Sequence, residues 1–141
     1  MSFLTAKDLM EKAHLVSPEE SIEKIKKLLV GHEDILLVVD NDGKFLGEIP
    51  ESNLLKLIVS EDFLDEEDVV GILGSSYDDD FVANSASSIM TSHNFVVKPK
   101  TKAEDIAVLL YKEDIESLAV VDKGKVVGVI HLNKFIEKML K

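Results

Sequence analysis

Val38-Val39-Asp40, a short turn, and then Gly43-Lys44-Phe45-Leu46-Gly47-Glu48-Ile49 is written twice in this chain. The second copy reads Val120-Val121-Asp122 followed by Gly124-Lys125-Val126-Val127-Gly128-Val129-Ile130, so the pattern Gly-Lys-apolar-apolar-Gly-x-Ile holds position for position. Upstream, Leu9-Met10 and Pro18 are answered by Ile89-Met90 and Pro99, and Pro18 precedes Gly47 by the same interval as Pro99 precedes Gly128. Shared strings at shared spacing identify a duplication of one supersecondary unit.

The unit can be read outward from that stretch. Ile35 to Val39 and Leu118 to Val121 are continuous apolar runs, the pattern of strands buried on both faces. Asp40 to Gly43 and Lys123-Gly124 carry turn chemistry, and Lys44 to Ile49 and Lys125 to Ile130 read as the returning strands of two hairpins. Ahead of the first hairpin, Ala13 to Val16 is a short apolar run suited to a strand. Ser17-Pro18-Glu19-Glu20 then predicts a helix start, because a capping residue, a proline and first-turn acids occur together. Ile22, Ile25, Leu28 and Leu29 recur at helical spacing behind it. In the second copy Thr101 and Glu104 predict a capping box, with Ala103, Ile106, Ala107 and Leu110 as the stripe. Each copy closes on an amphipathic helix, with Leu54, Leu57 and Ile58 in the first and Phe135, Ile136, Met139 and Leu140 in the second; Pro50 reads as the first residue of the earlier one.

The expected fold is therefore α/β, two βαββα repeats over residues 1–59 and 85–141, joined by an acidic linker over 60–84. A three-stranded sheet apolar on both faces cannot cover itself in so small a unit. The repeats are expected to pack about a pseudo-twofold axis, with a ligand-sized cleft between them. Within the linker, Phe63, Leu64, Val69, Val70, Ile72 and Leu73 predict a short helix. Asp78-Asp79-Asp80 lacks the alternating acids and central glycine of a calcium loop, so no metal site is expected there.

Composition narrows the function classes. Of 141 residues, 45% are hydrophobic and 30% charged, the balance of a folded soluble protein. The net charge is −11, from 27 acidic against 16 basic residues, and every basic residue is lysine. A duplex reader concentrates positive charge and uses arginine forks, and anionic membranes also favour positive charge, so neither nucleic acid nor membrane is an expected partner. There is no cysteine, which excludes disulfides, thiolate metal sites and a cysteine nucleophile together. No apolar run is long enough to span a bilayer and the N-terminus has no basic start leading into an apolar run, so a cytoplasmic location is expected. A nucleophile with its base, a metal-binding histidine pair and a phosphate loop are all missing, and no enzyme activity is expected.

With these residues in hand, the chain resembles a pair of CBS (cystathionine-beta-synthase) domains, the tandem arrangement called a Bateman module. The resemblance rests on Asp8-Leu9-Met10 and Ser88-Ile89-Met90 leading into the first strand of each copy, the proline before the helix, and Val-Val-Asp, a turn, then Gly-x-Ile before the last helix. It covers everything outside the linker and the extreme N-terminus. It implies a regulatory module that binds an adenine nucleotide or adenosyl compound (AMP, ADP, ATP or S-adenosylmethionine, the nucleotides with or without Mg²⁺) in the cleft and that forms a homodimer. It also implies a ligand signature, Thr or Ser three residues after the glycine and Asp three further on, holding phosphate and ribose.

Here the chain departs from the pattern: those positions are Pro50 and Asn53 in the first copy, His131 and Lys134 in the second. Asn53 is expected to hydrogen-bond a ribose hydroxyl, and His131 and Lys134 to pair with a phosphate where a strand meets a helix N-terminus. Ser117, just ahead of a buried strand, and His93-Asn94, in the lead into the second copy's first strand, complete the expected ligand-contacting set. Each has a blander reading: a helix-start amide for Asn53, a capping histidine for His131, a solvated first-turn lysine for Lys134, loop polarity for His93 and Asn94. His14, the first-copy counterpart, reads as structural. The rival function is a degenerate pair that has lost its ligand and only dimerises or docks a regulated protein, with apolar faces such as Phe135, Met139 and Leu140 left partly exposed in a monomer.

Overall fold

The computed structural model describes residues 3–32, 35–62 and 84–141. The linker helix expected within 63–73 and the acids at 78–80 lie outside these described residues. The first copy runs α1 (Ala6–Leu9), β1 (His14–Val16), α2 (Ile22–Leu29), β2 (Ile35–Val39), β3 (Phe45–Pro50), a 3₁₀ turn over Glu51–Leu54 and α3 (Leu55–Asp62). The second runs α4 (Ala86–Ile89), β4 (Val96–Val97), α5 (Ala103–Glu113), β5 (Ser117–Asp122), β6 (Lys125–His131) and α6 (Leu132–Met139). The strands form two three-stranded sheets, ordered β1-β2-β3 and β4-β5-β6. The α/β fold and the βαββα repeat are as expected; each repeat is preceded in addition by a one-turn helix.

Local chemistry sets the hairpins. Lys123 and Gly124 both take positive φ, 53° and 81°, which is the two-residue turn whose twist matches that of the flanking strands. In the first copy Asp40 organises a longer turn: its Oδ1 accepts from the backbone N–H of Asp42 at 2.8 Å and of Lys44 at 2.9 Å. The Lys44 N–H in particular holds the Asp40 carboxyl below the usual carboxylate range.

Helix starts differ from the sequence reading. Helix α2 is capped by Ser21, whose Oγ accepts from the Lys24 N–H at 3.2 Å, and not by Ser17. Helix α5 begins after Lys102, while the Thr101 hydroxyl accepts from the Lys98 N–H at 3.0 Å and closes the preceding turn. Pro50 ends β3 in an extended conformation and stands just outside the 3₁₀ turn. The delay at α2 and α5 has a physical cause. The carbonyls of Pro18, Glu20, Pro99 and Thr101 accept hydrogen bonds from one-turn helices, and a carbonyl so used is held in a loop.

Contacts divide the chain into two compact units, and neither is a sequence repeat. One comprises Met1–Leu15, Val39–Leu46 and His93–Lys141; the other comprises Val16–Val38 and Gly47–Ser92. In the first unit the arm ahead of β1 packs on the second copy. The Ala6 N–H donates to Thr101 O at 2.8 Å, Lys7 N–H to Pro99 O at 2.9 Å, and Lys138 Nζ to the α1 end at Leu9 O at 3.0 Å. Helix amides without intrahelical partners are thereby satisfied, as a four-residue helix requires. Ala6 and Leu9 then join Val97, Ala103, Ile106, Leu110, Leu118, Val120, Ile130 and Phe135 in one core.

The second unit repeats the device with the arm ahead of β4. Ala86 N–H donates to Glu20 O and Ser87 N–H to Pro18 O, each at 2.9 Å. The Asn53 amide donates to Ile89 O at 2.8 Å and to Thr91 Oγ1 at 2.9 Å, and Lys56 Nζ to Ile89 O at 3.3 Å. The repeated glycines exist for these arms. A Cβ on Gly47 would lie 2.7 Å from Thr91 O, and one on Gly128 would lie 2.5 Å from Met10 Sδ.

Candidate functional site

The β4-β5-β6 sheet of the first unit alternates cleanly. Val97, Leu118, Val120 and Ile130 enter the core with α5 and α6. Strand periodicity then turns Val96, Ser117, Ala119, Val129 and His131 to the opposite face. Ser117 and His131 are directly opposed across the β5–β6 ladder, so two of the expected site residues meet as neighbours. Ser117 is 1% exposed and Ala119 equally buried, a narrow floor of small side chains. Both Ser117 and His131 make further interactions within the protein.

His131 stands at the N-cap of α6 with extended φ and ψ, and its side chain makes no capping bond. Lys134, in the first turn of α6, is exposed. Together they put one fixed charge and one titratable ring beside a helix start, where backbone N–H groups favour an anion. The approach to β4 carries His93 and Asn94. The His93 ring lies between Phe45 and Phe95, with centroids 5.4 and 5.5 Å away. Its Nδ1 accepts from the Phe95 N–H at 3.1 Å, which places the ring proton of the neutral form on Nε2. Asn94 is exposed at the mouth of the same segment.

Asn53 falls in the second unit, with both amide protons given to Ile89 O and Thr91 Oγ1. Its observed work is to pin the arm, leaving only its carbonyl oxygen for a ribose hydroxyl. His14 is exposed at the start of β1 and makes interactions of its own. Among the described residues no group of three or more His, Asp or Glu could hold a metal ion, and no helix is long and apolar enough to cross a membrane.

One residue of the sheet face escaped the sequence reading. Glu11 pairs with Val129 in an antiparallel bridge, its N–H donating to Val129 O at 2.8 Å and its carbonyl accepting from Val129 N–H at 3.0 Å. The only sequence signal is a mismatch: Leu9-Met10 is followed by Glu11 where Ile89-Met90 is followed by Thr91.

A concavity of about 380 Å³ lies on the helical side, between α5 and α6, lined by residues that include Leu110, Tyr111, Ile115, Leu132, Phe135 and Ile136. Phe135, expected on a partner-facing stripe, is instead 5% exposed and part of the core, because its place on α6 turns it toward Leu110 and Ile130. Within its lining Tyr111 is 89% and Ile136 45% exposed, and Leu140, just past the end of α6, is exposed as well.

Comparison with known proteins supports the reading of the repeats. The family model described as CBS domain matches residues 5–60 and again 86–141. Among curated proteins the chain is 27% identical to the uncharacterized protein MJ1426 of Methanocaldococcus jannaschii, over 95% of this chain and 90% of that one. Among solved structures it is similar to CBSX2 in complex with AMP, at 26% identity, TM-score 0.72 and coverage of 97% and 96%. CBSX2 is a protein of Arabidopsis thaliana. The CBS domain pair of MJ0100, in complex with 5′-methylthioadenosine and S-adenosyl-L-methionine, has TM-score 0.72 at 20% identity, with coverage of 99% and 97%, a likeness of fold.

Proposed function

The chain belongs to the CBS domain family as a tandem pair, and from that premise we propose that it is a regulatory module sensing an adenosyl ligand on the β4-β5-β6 sheet face. The observation that carries this reading is the likeness, over nearly the whole of both chains, to a CBS pair solved with AMP. The residues available here suit such a ligand. Ser117 and Ala119 keep that face low with small side chains, His93 and Asn94 stand on the approach to β4, and His131 with Lys134 offers partners to a phosphate. Occupancy then biases one arrangement of the module over another by its differential affinity, and a regulated protein reads the difference.

The test is thermal denaturation with AMP, ADP, ATP, 5′-methylthioadenosine and S-adenosylmethionine, each with and without Mg²⁺. A ligand at a hundredfold excess over its Kd stabilises by about 2.7 kcal/mol, roughly 10 °C in Tm for a chain of this length. A saturable rise that falls away in Lys134→Ala supports a phosphate-bearing ligand. No rise with any ligand at millimolar concentration would reject sensing.

A second reading, docking without a ligand, is favoured by one observation: the Asn53 amide already serves the fold. In that reading the α5–α6 groove, with Tyr111 and Ile136 at its surface, joins a second copy of the chain in a homodimer or receives the regulated protein.

A further inference from the structure

The Glu11 carboxylate poses a problem that the fold alone does not solve. Its Oε2 is buried and has no hydrogen-bond partner. A buried acceptor without a donor is costly, and a charged one more so, so such an atom in a folded protein marks an unseen partner. The bridge to Val129 needs only the backbone of Glu11, and any side chain would serve it. The counterpart in the other arm makes the contrast plain: Thr91 is a small hydroxyl, and it accepts a hydrogen bond from Asn53.

The place of Glu11 is fixed by register. Directly opposed residues of an antiparallel pair send their side chains to the same face, so Glu11 shares the face of Val129. Ser117, Ala119 and His131 occupy that same face. The diagonal from Glu11 to His131 is roughly 7–8 Å. Within one unit, then, a carboxylate in need of a donor stands beside the floor proposed to hold the ligand. Lys134 lies in the first turn of α6, which follows directly on His131. A phosphate would be repelled by Glu11 and drawn to Lys134, so the part of a ligand facing Glu11 must be one that donates.

We infer that Glu11 is a ligand-binding residue, its Oε2 accepting a hydrogen bond from the ribose diol of the adenosyl ligand. This rests on the sensing function proposed above and gives that site its sugar-recognising group, supplied by the arm of the first repeat to the sheet of the second. No other carboxylate is required on α6, where Lys134 stands.

The experiment is calorimetric titration of the whole chain with AMP and with 2′,3′-dideoxy-AMP, for wild type, Glu11→Gln and Glu11→Leu. Wild type is expected to prefer AMP by about tenfold or more, the worth of a charge-assisted hydrogen bond. Glu11→Gln retains a neutral acceptor and is expected to keep part of that preference. Glu11→Leu is expected to bind both nucleotides alike and, freed of an unsatisfied carboxylate, to melt at a higher temperature than wild type without ligand.

Equal affinity of wild type for the two nucleotides would overturn the inference and leave sensing standing. So would a Glu11→Leu variant that keeps the preference, or one that melts lower without ligand. If wild type binds neither nucleotide, sensing of AMP fails and this inference falls with it, while the wider sensing reading is decided by the thermal screen of all the adenosyl ligands.

Discussion

Replacing Gly47 by alanine tests whether the arm and the glycine strand meet as described. The added Cβ would lie 2.7 Å from Thr91 O and 3.0 Å from Met90 Sδ. The first contact decides the outcome, because Thr91 O is backbone and already accepts from the Glu48 N–H at 2.9 Å. Restoring ordinary contact pushes that carbonyl back by about half an ångström and stretches the bond beyond useful length. Overpacking of this kind costs about 1–3 kcal/mol and the weakened bond about 1 kcal/mol more. Against this, alanine restricts the unfolded chain and returns about 0.4–1 kcal/mol, since the Gly47 backbone is not in the left-handed region. The net expectation is a loss of about 1–3.5 kcal/mol, with its centre above 2.

Gly128→Ala provides the control. There the new Cβ meets Met10 Sδ at 2.5 Å and Cγ at 2.9 Å, a flexible side chain, and Glu11 O only at 3.1 Å. Met10 can swing aside, so the loss should be about 1 kcal/mol, and Met10→Ala in the same chain should recover most of it. Met90→Ala should not rescue Gly47→Ala, because the obstruction is a carbonyl. Urea denaturation followed by circular dichroism gives all five stabilities. Wild-type stability in Gly47→Ala, or its full rescue by Met90→Ala, would refute the close approach of the Thr91 arm to β3.

Other consequences follow from single contacts. Because the folded Asp40 carboxyl titrates below its ordinary value near 3.8, its stabilising bonds to Asp42 and Lys44 are present above that pH and are lost as pH falls through the lower folded value. Asp40→Ala should therefore melt below wild type at neutral pH and converge with it in strong acid; a constant gap in Tm across that range would contradict the assignment. Asn53→Ala removes donors to Ile89 O and Thr91 Oγ1 and should cost about 1–2 kcal/mol in urea denaturation, whether or not a ligand binds. If the α5–α6 groove joins two copies, Tyr111→Glu should convert a dimer to a monomer by light scattering without lowering Tm by more than about 2 °C, since that side chain lines the groove and is exposed.

Much of this protein is local chemistry and so can be read in the chain. Runs such as Ile35 to Val39 form strands because every residue is β-branched or aliphatic, and Lys123-Gly124 turns because glycine accepts positive φ. The duplication, the family and the α/β fold followed from those strings. The tertiary structure decided where the arms go. Met10 is distant in sequence from Gly128, and Met90 is separated from Gly47, so no periodicity links them; only a missing Cβ does, and that is visible after folding. The same exchange moved the helix caps to Ser21 and Lys102, gave the Asn53 amide to an arm, and turned Phe135 into the core. It also set Glu11 on a sheet belonging to the other repeat, with a buried oxygen whose partner the sequence had given no reason to seek. A strand's own residues fix its conformation, but the residue across from it is chosen by packing.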